Sequence, residues 1–189
     1  MTDAVNLNAL GIVCALGVGK EQISARLFED HTGMVMLENA VTAGDSLPFA
    51  PVSADLPEVP EHLRSYASRN FALVLSALSE IESDLKQAMD RYGKHRIAVV
   101  MGTSTSGISV GEELLCNTRF RESNVFPAEF DFLQQEIGST AESIATLLNL
   151  SGPAITISTA CSSSAKALAM ARRFIRMDLA DAVVVGGCD

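Results

Sequence analysis

Gly152-Pro-Ala-Ile-Thr-Ile-Ser-Thr-Ala-Cys-Ser-Ser-Ser-Ala-Lys-Ala-Leu168 changes character twice within a few residues. Ala154 to Ser158 reads as a short strand, with β-branched Ile155, Thr156 and Ile157 following a Gly-Pro break. From Ala165 the composition turns to Ala, Leu and Met, which favour helix. Cys161 sits between the two among small residues, so a sharp strand-to-helix turn would carry it at a helix N-terminus. Unpaired amides and the positive end of the helix dipole favour an anion there. A thiol so placed is favoured as thiolate and becomes a nucleophile. These residues alone leave two readings open, a reactive thiol and a buried structural one.

Working outward, the strand–helix alternation continues in both directions and predicts an α/β layered fold. Ala182-Val-Val-Val-Gly-Gly187 is a last strand, and the helix before it runs to about Met177. Phe132–Asn149 reads as a long helix with Leu133, Ile137, Ala141, Ile144 and Leu148 on one face. Arg96–Met101 is a continuous apolar strand of the parallel-sheet kind. It feeds Gly102-Thr-Ser-Thr-Ser-Gly107, a small-residue loop at the strand end where open α/β sheets bind ligands. The loop lacks the lysine of a phosphate-binding P-loop, since Ile108 stands in its place, and it lacks Gly-x-Gly-x-x-Gly. Close backbone approach is the better account of its glycines. Ser162, Ser163 and Ser164 lie outside any Gly-x-Ser-x-Gly elbow, so capping and close packing explain them better than nucleophilic roles.

Arg64–Tyr92 reads as one long amphipathic helix stopped by Gly93, and Ser109–Asn117 as a shorter one. Arg119–Phe130 reads as irregular. Between Leu27 and Leu63 there are seven acidic residues, four prolines and no Lys or Arg, an irregular surface segment with room for a hairpin. Val5–Val13 reads as a first strand with a Gly-hinged turn to Gly17, and Lys20–Phe28 as a short helix.

Composition narrows the functional classes. The chain has 189 residues, 48% hydrophobic, enough for one domain with a substantial core. A net charge of −9 and a 5% aromatic fraction argue against nucleic-acid binding and against long-range attraction of an acidic partner. No apolar run is long enough for a membrane span, and Met1-Thr-Asp-Ala lacks a basic n-region, so a cytoplasmic location is the simplest expectation. Cys14, Cys116, Cys161 and Cys188 are scattered, which suggests neither a disulfide framework nor a metal site. The three besides Cys161 read as ordinary buried or partly buried thiols. His31, His62 and His95 all precede Cys161, lie in no motif, and read as surface histidines.

Four ordered segments resemble a known family. The Gly152–Leu168 stretch resembles the active-site segment of the β-ketoacyl-acyl-carrier-protein synthases, the condensing enzymes of fatty-acid and polyketide synthesis. Ile175-Arg-Met-Asp-Leu-Ala-Asp-Ala-Val-Val-Val-Gly-Gly187, Leu10-Gly-Ile-Val-Cys-Ala-Leu-Gly17 and Val100-Met-Gly-Thr-Ser-Thr-Ser-Gly107 are similar to that family's helix end and strand, opening strand and Gly/Ser loop. The resemblance implies a thiolase-like fold, residues 1–189 being the N-terminal half of a duplicated α-β-α-β-α unit. It implies a homodimer, or a heterodimer with a related subunit, and acyl carrier protein as partner, with no bound cofactor and substrates carried on phosphopantetheine. Cys161 would accept the acyl chain, its backbone N–H contributing to an oxyanion hole.

By the same resemblance Thr105 falls where a gating residue borders the acyl pocket; a loop-packing hydroxyl is the alternative. Arg64 and Arg69 fall near the carrier docking region, or are plain solvent-facing arginines. The family's two catalytic histidines come later in its chains, and no histidine follows Cys161 here, so the isolated residues are expected not to catalyse condensation, and an apolar face is expected to stand uncovered. Two other readings are a non-catalytic chain-length-factor-like subunit, which usually replaces the cysteine, and a coenzyme A-dependent thiolase, which the Thr-Ala-Cys-Ser-Ser-Ser context disfavours.

Overall fold

A computed structural model describes residues 4–29, 33–39, 42–116 and 125–189. In chain order the elements are β1 (Val13–Cys14), β2 (Gly17–Val18), α1 (Lys20–Leu27), β3 (Val35–Glu38), β4 (Ser46–Phe49), α2 (Arg69–Ser79), α3 (Glu82–Tyr92), β5 (Ile97–Gly102), α4 (Ile108–Cys116), α5 (Ser139–Leu148), β6 (Ala154–Ile157), α6 (Ser163–Arg176) and β7 (Ala182–Gly187). Short 3₁₀ turns cover Glu61–Tyr66, Lys94–Arg96 and Phe132–Gln134.

The apolar run predicted as a buried strand is β5, buried at every position. It is the centre of a parallel sheet of order β6-β5-β7. Alternate residues of a strand point to opposite faces. Ile97, Val99 and Met101 join Leu63, Phe71, Val74, Ala141, Ile144 and Val184 in the main core, beneath α2 and α5. The other set, Ala98, Val100 and Gly102, faces α6, whose Ala167 and Ala171 are buried. Small residues on both sides let α6 lie close to the sheet. Arg96 pins its far end: the guanidinium donates to Asp181 at 2.7 Å and to Asp178, tying the α6–β7 turn to the start of β5.

Three expected elements differ, and a fourth is now placed. The helix expected over 64–92 is two. Ser68 caps α2, its hydroxyl accepting from the Phe71 amide at 3.1 Å, and the residues before it form a 3₁₀ turn. α2 and α3 part at Glu80–Ile81 because the Ile81 amide goes to Leu78 rather than to Ala77. The Ala77 carbonyl is instead met by the chain at Gly11, where a Cβ would lie 1.8 Å from that oxygen. The helix expected over 132–149 starts only at Ser139: Asp131 caps a separate 3₁₀ turn, and Gly138 precedes the helix proper. Of the strand expected over 5–13 only Val13 pairs, and together with Cys14 it forms a short hairpin with β2. The acidic segment holds the hairpin β3–β4, registered Val35 to Phe49 and Glu38 to Ser46, and both its strands are solvent-exposed.

Candidate active site

Parallel pairing brings three strand ends level. Gly102 of β5 pairs with Ile157 of β6 and with Gly187 of β7. From this C-terminal edge emerge the Thr103–Gly107 loop, the Ser158–Ser162 turn and the Cys188–Asp189 segment. The N-terminus of α6 rests on the same edge, and two glycines make room for it. A Cβ on Gly102 would lie 2.5 Å from the Ser163 carbonyl carbon, and one on Gly187 1.8 Å from Ser164 Oγ. Close packing of glycines against serines is the physical content of both small-residue motifs.

The turn out of β6 is braced by its own side chains. Ala160 has φ 53°, the left-handed region, which costs a residue with a Cβ about 1–2 kcal/mol. Ser163, 2% exposed, holds it: its hydroxyl accepts from the Thr159 amide at 2.9 Å and donates to the Ala160 carbonyl at 2.7 Å. Ser162 occupies the cap position of α6, yet its hydroxyl goes back to the Thr159 carbonyl at 2.9 Å rather than capping the helix. The serines therefore shape the turn more than they cap. α6 begins at Ser163, two positions earlier than its composition suggests, which brings the helix N-terminus to within two residues of Cys161. Cys161 is exposed at the crest of this turn.

Thr105 is exposed on the neighbouring loop. The loop starts beside the cysteine turn, the Thr103 amide donating to the Ile157 carbonyl at 3.2 Å. It is held from the other side by Asp189. The Oδ1 of that carboxylate accepts from the Ser104 amide at 2.6 Å, the Thr103 hydroxyl at 2.9 Å, the Ser104 hydroxyl and Thr105 amide each at 3.1 Å, and the Thr105 hydroxyl at 3.2 Å. Burial pushes this carboxyl upward, but the hydrogen bonds together outweigh it and hold it below the usual carboxylate range. The sequence reading passed over Asp189. Its only signal is an acid directly after a Gly-Gly strand end, and the loop it holds lies 84 to 86 positions earlier.

The other singled-out residues lie elsewhere. Arg64 is exposed and paired with Glu61 at 3.7 Å. Arg69 donates to the Val52 carbonyl at 2.8 Å, fastening the irregular segment to the start of α2. His62 and His95 are exposed, as expected, and His31 lies outside the described residues. His95 precedes β5, so it stands at the opposite end of the sheet from Cys161, a strand length of roughly 20 Å at about 3.3 Å per residue. Cys14 and Cys188 are partly buried, as expected; Cys116 is exposed instead, because α4 buries only Gly111. Among the described residues no group of three or more His, Cys, Asp or Glu is placed to hold a metal ion, and no helix is long and apolar enough to cross a membrane.

The candidate site is thus a thiol-bearing turn on the C-terminal edge of a parallel sheet, beside a helix N-terminus, in an α/β domain. The chain matches the model of the beta-ketoacyl synthase N-terminal domain over residues 3–189 and belongs to that family. A chain of the complex between the ketosynthase ApeO and its chain length factor ApeC, from Xenorhabdus doucetiae, is 37% identical with a TM-score of 0.86; the match covers 95% of this chain and 45% of that one. The AntDE:AntF complex, a type II PKS acyl-carrier protein with its ketosynthase bound to the hexaketide, matches in fold at 22% identity and TM-score 0.70, covering 95% and 43%. The ishigamide ketosynthase/chain length factor does so at 19% and 0.73, covering 95% and 51%. Among curated proteins there is no match. The fold is the thiolase-like fold of ketosynthases, and the chain spans about half the length of these solved chains.

Proposed function

We propose that this chain is the nucleophile-bearing portion of a 3-oxoacyl-[acyl-carrier-protein] synthase working in type II polyketide or related acyl-chain synthesis. The observation that carries the reading is Cys161, exposed on a braced left-handed turn at the foot of α6. Its thiolate attacks the thioester carbonyl of an acyl carrier protein, and the phosphopantetheine thiol leaves. A malonyl carrier thioester then loses CO2, and the carbanion attacks the acyl-Cys161 carbonyl. Collapse of the tetrahedral adduct expels the Cys161 thiolate and leaves a 3-oxoacyl chain on the carrier. A thiolate suits both ends of this cycle, as nucleophile and as leaving group. The Cys161 amide, carried on the same turn, supplies one donor of the oxyanion hole.

Decarboxylation and carbanion attack need groups beyond this segment, because the nearest described histidine in sequence, His95, lies at the wrong end of the sheet. Residues 1–189 alone are expected to give no condensation, and the enzyme works with a further histidine-bearing half and a dimer partner. The pairing of ketosynthase with chain length factor in the ApeO–ApeC complex supports a heterodimer, and the AntDE:AntF complex supports an acyl carrier protein as substrate carrier. Among the described residues the Arg64 guanidinium meets a surface ion pair while that of Arg69 is bonded to the Val52 carbonyl, so Arg64 is the better candidate for carrier docking.

The test is acylation of the intact enzyme by an acyl carrier thioester, followed by peptide mass mapping. The acyl group is expected on Cys161, and Cys161→Ala is expected to abolish both labelling and condensation. Undiminished product formation by the variant would overturn the assignment. A wild-type enzyme that is never acylated would point to the non-catalytic partner class.

A further inference from the structure

We propose that Asp189 is a positioning residue for the acyl site: its carboxylate fixes the Thr103–Thr105 loop at the sheet edge, so that the loop forms a set wall beside the Cys161 turn and governs which acyl chains reach the thiol. The inference rests on the reading of Cys161 as acyl acceptor. Three features of the geometry carry it. Five donors from three consecutive residues converge on one oxygen, Asp189 Oδ1, and two of them are the Ser104 and Thr105 amides at 2.6 and 3.1 Å. A carboxylate makes charge-assisted bonds of this kind roughly twice as strong as a neutral acceptor does. Thr105 is bonded through both its amide and its hydroxyl, so the carboxylate sets the backbone and the side chain of that residue together.

The anchor is itself anchored. The Cys188 amide donates to the Gly102 carbonyl at 3.0 Å, and the Asn70 side chain donates to the Cys188 carbonyl at 2.9 Å. Asp189 therefore hangs from the end of β7 and from α2, both parts of the rigid core. The far end of the loop is also fixed, the Ser106 hydroxyl donating to the Glu136 carbonyl at 2.9 Å. Cutting the Asp189 contacts removes the loop's tie to the end of β7 and leaves the Thr105 amide only its longer bond to the Thr103 hydroxyl oxygen at 3.3 Å.

Asp189→Ala, Asp189→Asn and Arg96→Gln in the intact enzyme separate positioning from general stability. Arg96→Gln loosens the opposite end of the sheet and leaves the Asp189 carboxylate, its donors and its tethers in place. In Asp189→Ala, hydrogen exchange at the Ser104 and Thr105 amides is expected to speed up at least tenfold. Acylation of Cys161 by carrier thioesters is expected to slow at least tenfold, with a flattened preference across chain lengths. Asp189→Asn is expected to fall between Ala and wild type, because its neutral oxygen still accepts. Unchanged exchange, or unchanged acylation and chain preference in a folded Asp189→Ala protein, overturns the inference. So does an Arg96→Gln protein of equal Tm loss that reproduces the same defects. Wild-type enzyme that fails to acylate Cys161 at all instead overturns the functional reading on which the inference stands.

Discussion

Burial sorts the thiols of this chain by reactivity. Cys161 is exposed, whereas Cys188 is partly buried, with its thiol donating to the Asn70 carbonyl at 3.5 Å. Burial, and then the neighbouring Asp189 carboxylate, push the Cys188 thiol up from an ordinary 9.0 to about 11. Iodoacetamide at pH 8 is therefore expected to modify Cys161 at least ten times faster than Cys188, read by peptide mapping; equal labelling would contradict the assigned environments. The same shift bears on stability. Because the folded thiol holds its proton more tightly than the unfolded one, the Cys188 contribution is intact below about pH 9 and is lost as pH rises through about 11. A Cys188→Ala variant should show a weaker alkaline fall in its urea midpoint than the parent. Cys161 was legible because its neighbours are chemically distinctive in sequence. Asp189 was not, because its partners become neighbours only when β5 and β7 pair.

The elements show which patterns carry through and which are overridden. β5 was readable because a strand covered on both faces is a continuous apolar run, β7 from its valine run and β6 from its β-branched residues after a Gly-Pro break, and each lies within a residue of its expected bounds. The long helices were misread because periodicity records a face and not its interruptions. The stripe through Leu78, Ile81 and Leu85 is unbroken although the backbone turns at Ile81 to let Gly11 approach. At the α6–sheet contact, Gly102→Ala is expected to cost about 1–3 kcal/mol, since the added methyl meets helix backbone that can yield only by lifting α6. Urea unfolding checks this, and a neutral result would mean the contact is looser than its geometry. At the other end of the sheet, the hydrogen bonds from Arg96 hold Asp181 below its usual carboxylate range. A carboxyl so lowered stabilises the fold above the ordinary range and loses that contribution as pH falls through the lowered value. The difference in urea midpoint between the parent and Arg96→Gln is thus expected to shrink between pH 6 and pH 2; a constant gap would argue against the pair.

For the whole molecule, the described surface has an open side. α6 sets Ala167 and Ala171 against the sheet while Leu168 stays 45% exposed, and Leu179 and Met177 beyond it are 43% and 67% exposed. An apolar face of this kind marks an association surface. Purified residues 1–189 are expected to self-associate in sedimentation equilibrium and to form no 3-oxoacyl product; a monodisperse, active monomer would refute both. The sheet also dictates when the site can exist. β5 is synthesised first but pairs only with segments far downstream, Val99 with Ala154 and Ile97 with Ala182. Pairing over such separations is slow, and chains fold from the N-terminus as they emerge during synthesis. The central strand must therefore wait on the ribosome, its apolar faces uncovered, for both of its neighbours. Gly187, which seats α6, and Asp189, which secures the loop, leave the ribosome after Cys161 itself. Translation thus delivers the thiol before the strand pairing, helix seat and loop anchor that surround it.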